Sequence, residues 1–265
     1  MDRQVALGIK DQRGAEDWIT HAQALVSAHA GHLQQARDLS RRAVDVARRT
    51  SDQERAATYE SAAAVYEALF GNAAEAKQRA ESALALSKGR DVEYAAAFAL
   101  ARAGDRSRSE MLANDLDRRF PEDTSVQYHY LPTLRALADL NGGKPAKARA
   151  ELEMARRYEL AANKLSSFAF CGAMFPAFVR GEALLAEHKG VEAAGEFKKL
   201  IDHRGIMMAD PAGALARLGI GRAWALSGDN DKAKNAYQDF LALWKDADRD
   251  IPILRQAKAE YARLR

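Results

Sequence analysis

Hydrophobic and polar positions alternate along this chain with a helical period. In Ala233, Ala236, Tyr237, Phe240, Leu241 and Trp244 the apolar side chains recur every three to four residues, with Lys234, Asn235, Gln238 and Asp239 between them. That spacing lays one stripe along an amphipathic helix. Such stripes end repeatedly at a glycine or polar turn, and about five residues beyond it a small residue opens the next. The segments are HAGHLQQARDLSRRA from His29, LFGNAAEAKQRAESA from Leu69, RAGDRSRSEMLANDL from Arg102, NGGKPAKARAELEMA from Asn141, EHKGVEAAGEFKKLI from Glu187 and LSGDNDKAKNAYQDF from Leu226.

Aligned on that small residue, the markers are Ala36, Ala76, Ser109, Ala148, Ala193 and Ala233, separated by 40, 33, 39, 45 and 40 residues. A unit of this length holds two antiparallel helices and two short connections. The pattern predicts first helices over 15–29, 54–69, 91–103, 124–140, 167–187 and 211–227, and second helices over 33–49, 73–87, 106–119, 145–158, 191–202 and 230–245. No single pair can cover its own apolar stripe, so stacked neighbours must bury it and the ends need polar caps. Residues 251–265, with Leu254, Ala257 and Tyr261 at helical spacing, predict a C-terminal capping helix. Residues 1–14 are a polar lead-in, and the tandem units occupy 15–250.

Each marker has a physical reason. Gly31, Gly71, Gly104, Gly143 and Gly228 fall where a helix must stop and the chain reverse, a position that favours left-handed backbone without a Cβ clash. The small residue after the turn lets two helices approach closely. Two places depart from regularity: polar Asn163 to Ser167 interrupts a helical pattern, and Pro176 sits inside the following apolar run, which predicts a longer loop or a kink there.

Composition narrows the class further. Hydrophobic residues make up 48% and charged residues 29% of 265, with 6 prolines and runs such as Ala62 to Ala64 and Ala95 to Ala97, so an all-α fold is expected. The formal net charge is +3, from 40 basic against 37 acidic residues that alternate along helical faces, a solvated surface rather than a nucleic-acid-binding stripe. The single Cys171 excludes an internal disulfide and speaks against a cysteine zinc site. No window approaches the roughly 20 apolar residues of a membrane span, so no direct membrane insertion is expected.

At these residues the chain resembles the tetratricopeptide repeat. The last unit matches best, through Gly221, Trp224, Gly228, Ala233 and Tyr237, with Phe240 replacing the usual second alanine; Pro121 matches the proline that closes many such units. Ser40 and Ala80 stand where an aromatic is usual. The resemblance implies a right-handed α-solenoid of about six helix pairs plus the capping helix. From about Glu16 onward, RRAVDVARR, LFGNAAEA, ALSKGRDVEYAAAFALA, RFPEDTSVQYHYLPTLRA and AYQDFLALWKDADRDIPIL look like the repeat region that follows the kinase domain in large bacterial serine/threonine kinases of the eukaryotic type. That implies a regulatory or docking role without kinase activity, since no HRD or DFG motif or glycine-rich nucleotide loop is present to transfer a phosphoryl group. It also implies a cytoplasmic setting, or an extracytoplasmic one where a membrane span precedes the repeats.

Candidate chemistry is sparse. Gly219, Gly221 and Ala223 in GIGRAW lie within a helix, outside the strand-to-helix context of a dinucleotide fingerprint. His29 and His32 lack a third ligand at metal-site spacing, Cys171 lacks an adjacent base, and Glu192 and Glu196 read as surface charges one turn apart. No catalytic, cofactor or metal site is expected. The resemblance instead places Trp18, Tyr94, Phe98, Arg102, Tyr130, Thr133, Phe175, Phe178, Glu182 and Arg222 toward the concave face of the array. There the aromatics would anchor a protein or peptide, Arg102 and Arg222 a carboxylate, and Glu182 a basic group. Several of these aromatics serve equally as core between units. A ligand-sensing module that binds a small molecule or peptide in the same groove is the alternative function, and the pattern is silent on oligomeric state.

Overall fold

A computed structural model of the chain describes residues 15–161 and 172–264. The 1–14 lead-in, the Asn163–Ser167 interruption and Cys171 lie outside the described residues. Among the described residues all regular structure is helical, with no β-strand. In chain order the helices are α1 (Glu16–His29), α2 (Leu33–Arg49), α3 (Gln53–Phe70), α4 (Ala73–Leu86), α5 (Arg90–Arg102), α6 (Arg106–Arg119), a π-helical turn (Val126–Tyr130) leading into α7 (Leu131–Asn141), α8 (Pro145–Glu151), α9 (Phe175–Ala186), α10 (Gly190–Asp202), the single turn α11 (Arg204–Met207), α12 (Pro211–Leu226), α13 (Asn230–Leu243) and α14 (Pro252–Arg263).

The boundaries follow from local chemistry. Asp52, Asp105, Asp210 and Asp229 cap α3, α6, α12 and α13, each carboxylate accepting a backbone N–H of the first turn. The five turn glycines named above take φ between 68° and 92°, and His188 adopts the same left-handed backbone at 59° in the fifth unit. All six small markers are buried: the five alanines are fully enclosed and Ser109 is 4% exposed. The π turn passes straight into Pro132, which has no N–H to return to the preceding turn.

The two helices of a unit differ in burial. On α2 only a stripe is covered, Leu33, Ala36, Ser40, Ala43, Val44 and Ala47. On α3 every residue from Ala56 to Phe70 except Glu60 is buried, and on α5 every residue from Val92 to Ala101. A helix buried on all sides lies in an inner layer, whereas one buried on a stripe faces solvent. The first helices accordingly pack on one another, α3 on α5, α5 on α7, α7 on α9 and α9 on α12, with the second helices outside them.

The inner layer then closes. Helix α12 packs against α1 and α3, and α14 reaches α3, so the last unit returns to the first. The seam is specific. The Trp244 indole N–H donates to His29 O at 2.9 Å, Asp248 N–H to Gly31 O at 3.0 Å and Gln34 N–H to Asp248 Oδ2 at 2.7 Å. The His29 Nδ1–H donates to Asp210 O at 2.9 Å, and Phe70 meets Trp244 edge-on at 5.1 Å.

Three expectations change. The predicted helix over 145–158 stops at Glu151, and 152–161 continues as successive tight turns. Arg180, fully buried on α9, donates to Leu152 O at 3.0 Å and pairs with Glu159, while Leu152 O also accepts the Ala155 N–H at 3.2 Å, a tighter turn in place of the α-helical bond. Glu196 is not a surface charge: it is 8% exposed and faces Arg180, Lys199 and Arg156 at 3.0–3.2 Å. Pro176 neither kinks nor breaks a helix, because it occupies the first turn of α9, where its missing N–H is not needed.

Candidate functional site

Tyr94, Phe98 and Arg102 are spaced by four residues and share one face of α5, while Phe175, Phe178 and Glu182 share one face of α9. The structure brings these two stripes together. Phe98 stacks on Phe175 with ring centroids 4.3 Å apart. One turn on, the Arg102 guanidinium lies 5.8 Å from the Phe98 ring and 5.7 Å from the Phe178 ring. It donates to both Glu182 oxygens, at 2.8 and 2.9 Å. Burial alone would lower the Arg102 proton affinity, but the Glu182 carboxylate outweighs it and holds the guanidinium above its ordinary value. The residues expected to receive a partner's carboxylate and a partner's cation therefore receive each other.

The remaining groove aromatics are also enclosed. Tyr94 and Tyr130 lie parallel at 3.9 Å, and both are fully buried. The Tyr130 hydroxyl donates to Asp91 Oδ1 at 2.8 Å, and burial followed by that carboxylate pushes its phenol well above the usual range. Thr133 donates to His129 O at 2.7 Å. Phe178 meets Phe197 edge-on at 5.6 Å, and Phe197 is sandwiched where Gly181 and Gly219 have no side chain to obstruct it. Gly221 likewise leaves room for the Tyr237 ring, so GIGRAW serves helix packing. Trp18 packs with Ala43, Val44 and Tyr59 between α2 and α3, away from this centre. Aromatics pack in this inner layer for the reason they attract a ligand: each buries a large apolar area.

Arg222 sits differently. It projects from α12 toward the capping helix, donating to both Glu260 oxygens at 2.9 and 3.0 Å, and the Tyr237 hydroxyl donates to the same carboxylate at 2.9 Å. Arg102, Phe178, Glu182 and Arg222 border a single cavity whose apolar wall includes Leu69 and Ile253. Its volume is about 40 Å³, room for a few waters. A larger, solvent-open concavity of about 340 Å³ lies between α6, α7 and α8, but its cations Arg106, Arg135 and Lys147 are paired to Glu110, Asp117 and Asp139.

Glu260, Tyr237, Trp244 and Asp248 complete the centre and the seam; Tyr237 and Trp244 lie on the apolar stripe of the last unit, but nothing in that pattern marks Glu260 or Asp248 or what the two aromatics would meet. The one legible sign is Trp244 itself, whose indole N–H requires an acceptor once buried. Among the described residues no three His, Cys, Asp or Glu side chains come together as metal ligands, and no helix is long and apolar enough to cross a membrane.

No family model matches this chain, and no curated protein matches it at a significant level.

Proposed function

We propose that this chain is a tetratricopeptide-type docking protein that holds a protein or peptide partner, the regulatory segment of a bacterial signalling protein acting beside a serine/threonine kinase. The repeat markers and the kinase-associated stretches quoted above support the family part of this reading. The observation that carries the docking part is the cavity bordered by Arg102, Glu182 and Arg222 and closed by a helix whose carboxylate Arg222 already grips. Apolar walls with a few convergent charges orient a helical ligand. Bidentate Arg–Glu pairs neutralise one another and position groups, whereas acid–base chemistry needs a titrating group turned toward a substrate. The small-molecule alternative is less favoured, since a cavity near 40 Å³ is far below the roughly 300–1,000 Å³ of organic-ligand sites.

The test is affinity capture with the intact chain beside an Arg222→Gln variant of unchanged circular dichroism and melting temperature. A partner held by the intact chain and lost by the variant is the expected result. Partners captured equally by both, or none by either, refute the docking role of this site. Phe175→Ala and Phe178→Ala are unsuitable probes, because each opens a core void costing about 3–5 kcal/mol.

A further inference from the structure

The seat beneath α14 is built to hold a helix, and the chain fills it with its own. Three observations bear on how firmly. The covered face of α14 is narrow: Leu254 and Ala257 are its buried residues, with Ile251 just before them and Ile253, Tyr261 and Leu264 partly covered. Its polar hold rests on two residues, Glu260, which receives Arg222 and the Tyr237 hydroxyl, and Tyr261, whose hydroxyl accepts from Gln238 Nε2–H at 2.9 Å. The linker before it is pinned independently, through Trp244 and Asp248 to the α1–α2 turn. The helix can therefore leave while its tether and the seam stay in place, and Pro252 at its first turn marks where the two part.

We propose that α14 is a displaceable internal ligand, and that the partner of this site is an amphipathic helix carrying a carboxylate at the register of Glu260 and aliphatic residues at those of Leu254 and Ala257. This rests on the docking function proposed above. Charge complementarity selects that partner. The seat offers Arg222 and the Tyr237 hydroxyl, both donors, so a helix with a neutral or basic residue at that register would leave a partly buried guanidinium without its carboxylate. Arg102 turns both terminal nitrogens to Glu182 within the wall, so its charge is already matched, although its Nε–H has no partner. Tethering gives α14 an effective concentration on the order of millimolar, so a free helix of equal intrinsic affinity is excluded until the internal one is weakened or outmatched.

The experiment uses the full chain and, as probe, a fluorescent peptide of its own residues 250–265 read by anisotropy, with amide hydrogen exchange of residues 252–263 followed in parallel. Glu260→Gln in the chain weakens the internal ligand and leaves the seat intact. The expected result is probe binding at least tenfold tighter than to the native chain, with faster exchange in α14 alone. Adding Arg222→Gln abolishes the gain, and a probe carrying Glu260→Gln binds more weakly. Leu254→Ala, which trims the buried face of α14 and leaves the seat untouched, gives the same direction and serves if Glu260→Gln disturbs folding. Native exchange protection in α14 together with no gain in probe binding would overturn the proposal and make α14 a fixed cap. A dimer of the Glu260→Gln chain formed by exchange of α14 between copies would also overturn it, since the occupant would then be a second copy. Probe exchange without any captured partner leaves this seat standing and refutes the docking function. A partner captured equally by the Arg222→Gln chain does the reverse.

Discussion

Gly31, Gly104 and Gly228 offer an internal comparison, because all three end a first helix with φ of 79°. Replacing any of them by alanine places a Cβ in left-handed backbone, at a cost of about 1–2 kcal/mol. At Gly104 and Gly228 nothing lies within 4 Å of that new atom. At Gly31 it would stand 2.5 Å from Ala247 Cβ and 2.9 Å from Trp244 Cδ2, atoms from the far end of the chain. Relief requires the linker or the indole to move, an overpacking cost of about 1–3 kcal/mol more. Gly31→Ala should therefore be less stable than Gly104→Ala by about that difference, or by roughly 2–5 °C in melting temperature for a chain of this length. Urea unfolding followed by far-UV circular dichroism, with both variants and Gly228→Ala measured together, reads the difference directly. Three equal destabilisations would refute the closure, because in an open array the three turns are equivalent.

Further outcomes follow from the buried charges. Burial, then the neighbouring Asp115 carboxylate, raises folded Glu93 to about 7. Because the folded value exceeds the unfolded one, the stabilisation from this proton is complete below about pH 4.5 and lost as pH rises through 7. Native stability should then fall between pH 5 and 7.5 by about 1–3 kcal/mol more than that of Glu93→Gln, measured by denaturant titration at each pH. His129 is buried with neither ring nitrogen hydrogen-bonded, and burial lowers it to about 4. Its contribution is present above about pH 6.5 and lost as pH falls through 4, so His129→Leu should keep or raise stability at pH 7 by about 1 kcal/mol and flatten the loss on the acid side. Arg180→Met removes the buried cation that Glu159 and Glu196 share and leaves them only Lys199 and Arg156, and should cost about 1.5–3 kcal/mol, with amide exchange rising first across residues 152–161.

The local architecture was legible because helix pairs are encoded over a few residues. The turn glycines and the small markers sit at fixed offsets, and expected and observed boundaries agree within about two residues for most helices. Residues 145–158 failed where the turns after α8 are held from outside, by a buried arginine that the pattern does not reveal. Glu196 failed for the same reason: its charge is matched by side chains from α9 and from the 152–161 turns, not by helical neighbours. At the candidate site Tyr94, Phe98, Phe175 and Phe178 are buried in the inner layer, and a stripe cannot say whether its partner is a ligand or another stripe of the same chain. Closure is the least legible feature, since His29 and Trp244 are joined across 215 residues and no periodicity carries such a pairing.

Small-angle X-ray scattering of the intact chain tests the central claim, that the inner layer closes on itself and is sealed by the C-terminal segment. A closed body of 265 residues should give a radius of gyration near 18 Å and a single-peaked distance distribution. Six helix pairs strung in an open arc at spacings of about 10 Å would give roughly 22 Å or more with an extended tail, and that result would contradict the account.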